Sequence, residues 1–293
     1  MAQTRLARNN NTLQSSMKTI NISTPNVDSR RVKLAISILK LLGYDVKNPV
    51  ESFKAYQASK RLIPDGNVGN LTFAAMYEDL LHPRHVDFTG SYFVLETPKK
   101  QIVFHHTASS DNADGVVEWW KKDGVSHVAT PIVVKDTETL NLYAEDYWAY
   151  HLGVTSAITK KYNAKWPGDK YAVGIEICNW GQLTKNAAGE FVTYANTKVA
   201  PENVVELDFR GFKYWEAYKD FEITAARNWA LLMSLRFDIP LEYHEELMWK
   251  TNSSALNGVP GIYTHNSFRE DKVDISPQPK IVEMLKSLQH FDD

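Results

Sequence analysis

Cysteine occurs once in the 293 residues, at Cys178, so no internal disulfide can form and folding in a reducing compartment is expected. Long apolar runs are also missing. None approaches the roughly 20 residues that a membrane-spanning helix needs, so no membrane insertion is expected. Residues 1–22 are polar and basic without an apolar stretch, unlike a secretory signal. A large net charge is absent too, the formal value being −2. What is present, 43% apolar and 23% charged residues, excludes a disordered chain. The length suits one large domain or two ordinary ones.

The small net charge conceals an asymmetry. Residues 1–82 hold 11 Lys/Arg against 6 Asp/Glu, a net +5, which leaves −7 for the remainder. A basic module on an acidic body suits an anionic polymer, of which nucleic acid and a bacterial wall are two examples. The first is disfavoured because the module has neither aromatic interleaving nor a nucleic-acid motif.

Four regions follow from the pattern. Residues 1–27, rich in Asn, Thr and Ser, read as a flexible arm. Residues 28–82 read as a small all-α unit of three helices. The first carries Val32, Ile36, Leu39 and Leu42 at helical spacing. The second starts at Asn48-Pro49 and carries Phe53, Tyr56 and Gln57; the third presents Phe73, Met76 and Leu80. Such a unit is near the lower limit for independent stability. Residues 83–99 read as a linker. In 100–293, strands at 102–106, 127–134, 140–144 and 171–178 alternate with helices near 116–124, 222–237 and 281–288. That alternation predicts an α/β domain, a mixed central sheet flanked by helices.

The chemistry concentrates near the C-terminus. His265 is followed nine positions later by Asp274, with Lys272 two residues before the carboxylate. An imidazole and a carboxylate suit Zn²⁺, which takes three protein donors when catalytic. The third donor is sought in Gln101-Ile102-Val103-Phe104-His105-His106-Thr107-Ala108. His105 and His106 point to opposite faces of a strand, and periodicity does not choose between them. Cys178 is a rival donor, on the same strand face as Glu176. Glu176 itself sits among apolar Val173, Ile175 and Ile177, where an unpartnered carboxylate is costly, so it is expected to face a cleft.

Ile102-Val103-Phe104-His105-His106-Thr107-Ala108, Ser126-His127, Tyr150-His151-Leu152-Gly153, Gly174-Ile175-Glu176, and His265 with Lys272-Val273-Asp274 resemble the zinc-dependent N-acetylmuramoyl-L-alanine amidases of type 2. This resemblance covers about residues 100–285. It implies Zn²⁺ on His105, His265 and Asp274, with Glu176 as general base and Lys272 as oxyanion stabiliser. It also implies His151 as a substrate contact, and Trp180 is a candidate for lining the groove. His106 and His127 are expected in structural roles. Two insertions, 182–219 and 245–260, depart from the family pattern. Leu41-Leu42-Gly43-Tyr44, Tyr56-Gln57 and Asp65-Gly66-Asn67-Val68-Gly69-Asn70-Leu71-Thr72 resemble the type 1 peptidoglycan-binding domain. The absence of a secretory signal and a wall-binding module before the amidase together resemble a phage endolysin, a peptidoglycan hydrolase held in the host cytoplasm until it reaches the wall; a monomer is expected. A non-catalytic peptidoglycan-binding recognition protein is the alternative.

Overall fold

The computed structural model describes residues 17–23, 29–122 and 126–291. It opens with three helices, α1 (Ser29–Leu41), α2 (Pro49–Ser59) and α3 (Asn70–Leu81). Pro49 begins α2, where its missing N–H has no helical partner to lose. The buried Gln57 closes the unit. Its Nε2 donates to Asp65 Oδ1 (2.8 Å), the Asn67 carbonyl (2.8 Å) and Thr72 Oγ1 (3.0 Å), and its Oε1 accepts from the Gly66 N–H (2.8 Å). The Asp-Gly turn and the start of α3 are thereby tied to α2. Residues 17–23 pack here as well: Ile20 bridges Val68 and is buried with Met17 and Ile22, because apolar side chains interrupt this otherwise polar stretch. The rest of the expected arm, 1–16 and 24–27, lies outside the described residues.

The central sheet holds six strands: β1 (Arg84–His85), β2 (Gln101–His106), β3 (Ile132–Lys135), β4 (Glu138–Asn141), β5 (Ala172–Ile177) and, from far downstream, β10 (Gly261–Thr264). Their spatial order is β1-β4-β3-β5-β2-β10, parallel throughout except for the β3–β4 hairpin around Asp136 and Thr137. Strand β1 arises within residues 83–99. Between β5 and β10 the chain forms a second, antiparallel sheet, β6 (Gln182–Lys185), β7 (Phe191–Val192), β8 (Val204–Phe209) and β9 (Phe212–Glu216), in the order β7-β6-β9-β8. The insertion 182–219 is thus a folded element. The remaining helices are α4 (Ala113–Lys122), α5 (Ser156–Lys161), α6 (Asp220–Phe237), α7 (Glu245–Met248), α8 (Ser253–Leu256) and α9 (Pro279–Leu288). The short α7 and α8 make up half of the insertion 245–260.

Strand alternation divides the sheet's side chains. Ile102, Phe104, Ile132, Val134, Val173, Ile175 and Ile177 share a core with Trp229, Leu232 and Met233 of α6 and Leu285 of α9. Each such burial contributes ~1.5–3 kcal/mol. Helix α6 is buried on nearly every side because α1 and α3 cover its outer surface. Leu34, Ile38, Phe73, Met76 and Tyr77 therefore belong to the same continuous core as the sheet. Polar contacts fasten this junction. Arg30 donates to Ser234 Oγ (2.9 Å), Asn228 to the Leu80 carbonyl (3.2 Å), and Tyr77 Oη to Glu145 Oε1 (2.6 Å).

Candidate metal centre

The opposite face of the sheet builds the site. His105 at the end of β2 is the register partner of Glu176 on β5, and Phe104 is the partner of Thr264, the last residue of β10. Three neighbouring parallel strands thus deliver Glu176, His105 and His265 side by side at their C-terminal ends, where open α/β sheets place their ligands. After His265 the chain makes a 3-10 turn, His265–Ser267, and loops back with Asp274. The Asn266 amide fixes that return by donating to the carbonyls of Asp274 (3.2 Å) and Ile275 (2.8 Å).

Three donor atoms converge. His105 Nδ1 and His265 Nδ1 are 3.1 Å apart, and Asp274 Oδ2 is 3.2 Å from the first and 2.9 Å from the second. Among the described residues this is the one cluster with metal-donor geometry, and all three members are buried. An ion with bonds of ~2.0–2.1 Å needs tetrahedral donor spacings of ~3.3 Å, so the triangle has room at its centre for one divalent cation. The proton positions agree. His265 Nε2 lies 3.1 Å from the Leu152 carbonyl, which can only accept, so Nε2 carries the hydrogen and Nδ1 presents a lone pair. His105 Nε2 faces His151 Nδ1 at 2.9 Å, a bond in which either nitrogen can be the donor. Glycine at 174 permits this: a Cβ there would lie 3.0 Å from His151 Nδ1 and 2.9 Å from Thr130 Cγ2.

The electrostatics suit a cation. Burial pushes His105 down to about 4, assisted by His265 and Lys272 against the opposing Asp274, so the imidazole is neutral. Burial alone would raise Asp274, but positive charge on His265 and hydrogen bonds from the two imidazoles outweigh it and hold the carboxyl well below its usual range; a cation between the donors would take the place of that charge. Glu176 is pushed well above the usual carboxylate range, by burial and then by Asp274, with Lys272 opposing. Its Oε2 is buried and has no protein partner, as is also true of His151 Nε2. Unsatisfied buried polar atoms are uncommon, and these two face the cleft, where a ligand can reach them.

These groups line a cleft of about 780 Å³, together with Lys272, Thr107 and Trp119. The Lys272 ammonium makes no hydrogen bond or ion pair with the described residues. Trp180 is not among the lining residues. It lies half-buried with its ring edge-on to Tyr194 (5.6 Å), and Tyr194 reaches the cleft instead, donating from Oη to the Ala108 carbonyl (2.9 Å). Gln182, the first residue of β6, also lines the cleft with a buried, unpartnered Oε1. The insertion therefore forms part of the cleft wall.

The other candidates fall elsewhere. His106 borders the cleft but is not one of the converging donors, and its Nδ1 bonds Tyr218 Oη (2.7 Å). His127 stacks on Phe93, with centroids 4.5 Å apart. Cys178 is buried under α4 against Val133 and Trp120, and burial pushes its thiol far up; it is not one of the converging donors. Arg210 was not singled out by the sequence. At the tip of the β8–β9 hairpin it donates to five backbone carbonyls around the loop that carries Lys272 and Asp274. Its only sequence signal is an Arg-Gly pair between two strand-like runs.

Residues 96–279 match the family model described as N-acetylmuramoyl-L-alanine amidase. No curated protein matches the chain. Among solved structures, the chain is similar to PlyL at 15% identity, covering 71% of this chain and 96% of that one, with a TM-score of 0.39. It is similar to the hydrolase AmiA of Staphylococcus aureus, solved in complex with its ligand, at 14% identity, 72% and 80% coverage and a TM-score of 0.38. It is also similar to the endolysin LysCS, an N-acetylmuramoyl-L-alanine amidase from Clostridium intestinale URNW, at 12% identity, 70% and 94% coverage and a TM-score of 0.34. With the family model spanning more than half of its length, the chain belongs to the N-acetylmuramoyl-L-alanine amidase family.

Proposed function

We propose that this amidase hydrolyses the bond between the lactyl group of N-acetylmuramic acid and L-alanine of the peptidoglycan stem, using one Zn²⁺ on His105, His265 and Asp274. The carrying observation is the triangle of two Nδ1 atoms and one carboxylate oxygen, 2.9–3.2 Å apart, beside an unpartnered glutamate oxygen. When bound, the ion lowers the pKa of a coordinated water towards ~7 and polarises the scissile carbonyl. Glu176, its pKa raised and its Oε2 unpartnered, is suited to accept the proton of the attacking water and pass it to the leaving nitrogen. A C–O bond forms, the C–N bond breaks, and a carboxylic acid and an amine leave. Lys272, unpaired at the cleft wall, offsets negative charge growing on the carbonyl oxygen, a contribution typically of ~3 kcal/mol. His151 holds His105 in its donor tautomer and turns its own Nε2 to the substrate.

The three-helix unit is proposed to bind the wall, and the whole chain to act as an endolysin from inside the host. Mass analysis of digested peptidoglycan tests the reaction. New L-alanine amino termini without new reducing sugars support it. New reducing sugars, or intact wall in the presence of Zn²⁺, would overturn it, the latter being the behaviour of a non-catalytic recognition protein.

A further inference from the structure

The insertion 182–219 carries a feature that cleft lining does not account for. Its hairpin β8–β9 turns at Arg210 and Gly211, with φ of +48° and +84°. Two left-handed residues make the turn whose twist matches a hairpin, and the first of them would ordinarily be Asn, Asp or Gly. Arginine in that conformation is strained by ~1–2 kcal/mol. The side chain supplies the compensation. Arg210 Nη1 donates to the carbonyls of Arg269 (3.0 Å), Glu270 (2.5 Å) and Lys272 (2.5 Å), and Nη2 to those of Asn266 (3.2 Å) and Trp249 (3.3 Å). Four of the five acceptors lie between His265 and Asp274, the two ligands that share one loop. These are hydrogen bonds from a charged donor to main-chain oxygens, which is stronger than a neutral pair and independent of the loop's side chains. The planar fork addresses several carbonyls at once, whereas a lysine would offer a single point. No other described side chain makes more than three hydrogen bonds to the main chain of 265–274.

We infer that Arg210 is a positioning residue. It braces the 266–272 loop so that Asp274 and Lys272 stand at fixed places relative to His265, making the insertion a support for the metal centre. The inference rests on the proposed metal amidase reading and adds a residue outside the matching motifs. Groups that orient metal ligands from behind typically change metal affinity by ~10–100-fold when removed. Arg210→Ala should therefore weaken Zn²⁺ binding, measured by chelator competition, by ~10-fold or more. Arg210→Lys should recover only part of that loss. Amide hydrogen exchange in the metal-free protein should accelerate across 266–274 and remain unchanged in β2 and β5. Lys213→Ala, on the same hairpin but paired with Glu206 at the surface, should change neither. If Arg210→Ala does not fold, Arg210→Lys carries the same comparison.

Equal Zn²⁺ affinity and unchanged loop exchange in a folded Arg210 variant would overturn the brace while leaving the amidase reading intact. A wild-type protein that takes up no Zn²⁺ would defeat the metal reading, and the brace's role at the centre with it.

Discussion

His105 and Glu176 are register partners on adjacent parallel strands, separated by 71 positions in sequence and by one strand spacing in space. This pairing puts a buried carboxylate beside the candidate metal donors without making it one of them, the place the proposed general base requires. Glu176→Gln should keep the cleft's shape and Zn²⁺ content while lowering kcat/KM on peptidoglycan by ~10²–10⁴-fold, the usual contribution of a general base. Turbidity loss of cell walls, measured beside metal content, checks this. Undiminished lysis by the variant would remove Glu176 from the chemistry.

Gly174→Ala addresses the support behind His105. The added methyl would crowd His151 Nδ1 at 3.0 Å and Thr130 Cγ2 at 2.9 Å, displacing the imidazole that faces His105 Nε2. A drop of ~10-fold in Zn²⁺ affinity is expected. Wild-type affinity in this variant would mean that His151 does not orient the ligand.

The shared core has a thermodynamic consequence. Because Phe73, Met76 and Tyr77 pack with α6 and the sheet, the three-helix unit and the α/β body should unfold together in one calorimetric transition. Two separated transitions would contradict the junction. Tyr77→Phe should lower stability by ~1–3 kcal/mol, since it removes the hydroxyl that donates to Glu145 and accepts from Asn141.

Glu222 makes a pH test possible away from the metal. It caps α6 by accepting the Lys219 N–H (2.8 Å), and burial pushes its carboxyl up to about 8. Because this folded value exceeds the unfolded one, the folded chain binds more protons between about 4.5 and 8. The contribution is most favourable below that window and is lost as pH rises through it. Glu222→Gln keeps the acceptor oxygen and removes the titration. Its Tm relative to wild type should therefore climb from pH 5 to pH 8; a flat difference would argue against the shift.

Much of the site was legible because strand periodicity and short-range spacing report local faces. Apolar Val173, Ile175 and Ile177 marked Glu176 as the odd member, and the structure puts it in the cleft. The choice of His105 over His106 needed the family resemblance, since alternation alone is symmetric. The folded nature of 182–219 and the role of Arg210 were not legible. The sheet needs β6 to pair with β9 some 30 residues on, and Arg210 reaches carbonyls some 40–60 residues downstream, separations that no local pattern encodes. The docking of the three-helix unit left a trace that could have been read. Helix α6 carries Ala225, Trp229, Leu231, Leu232 and Leu235 besides Ile223, Ala226, Ala230, Met233 and Phe237, and apolar residues spread this far round a helix must be covered on more than one side. In the N-terminal unit, the Gln57 and Asp65-Gly66 signature proved to be a hydrogen-bonded hub, so it encodes the turn itself.

The most direct test is metal content by mass spectrometry of the purified chain beside His105→Ala, His265→Ala and Asp274→Ala variants that remain folded. About one Zn²⁺ per wild-type chain, lost or greatly weakened in each variant, is the expected result. Tight binding retained by all three variants, or none in the wild type after incubation with Zn²⁺, would contradict a centre built from these residues.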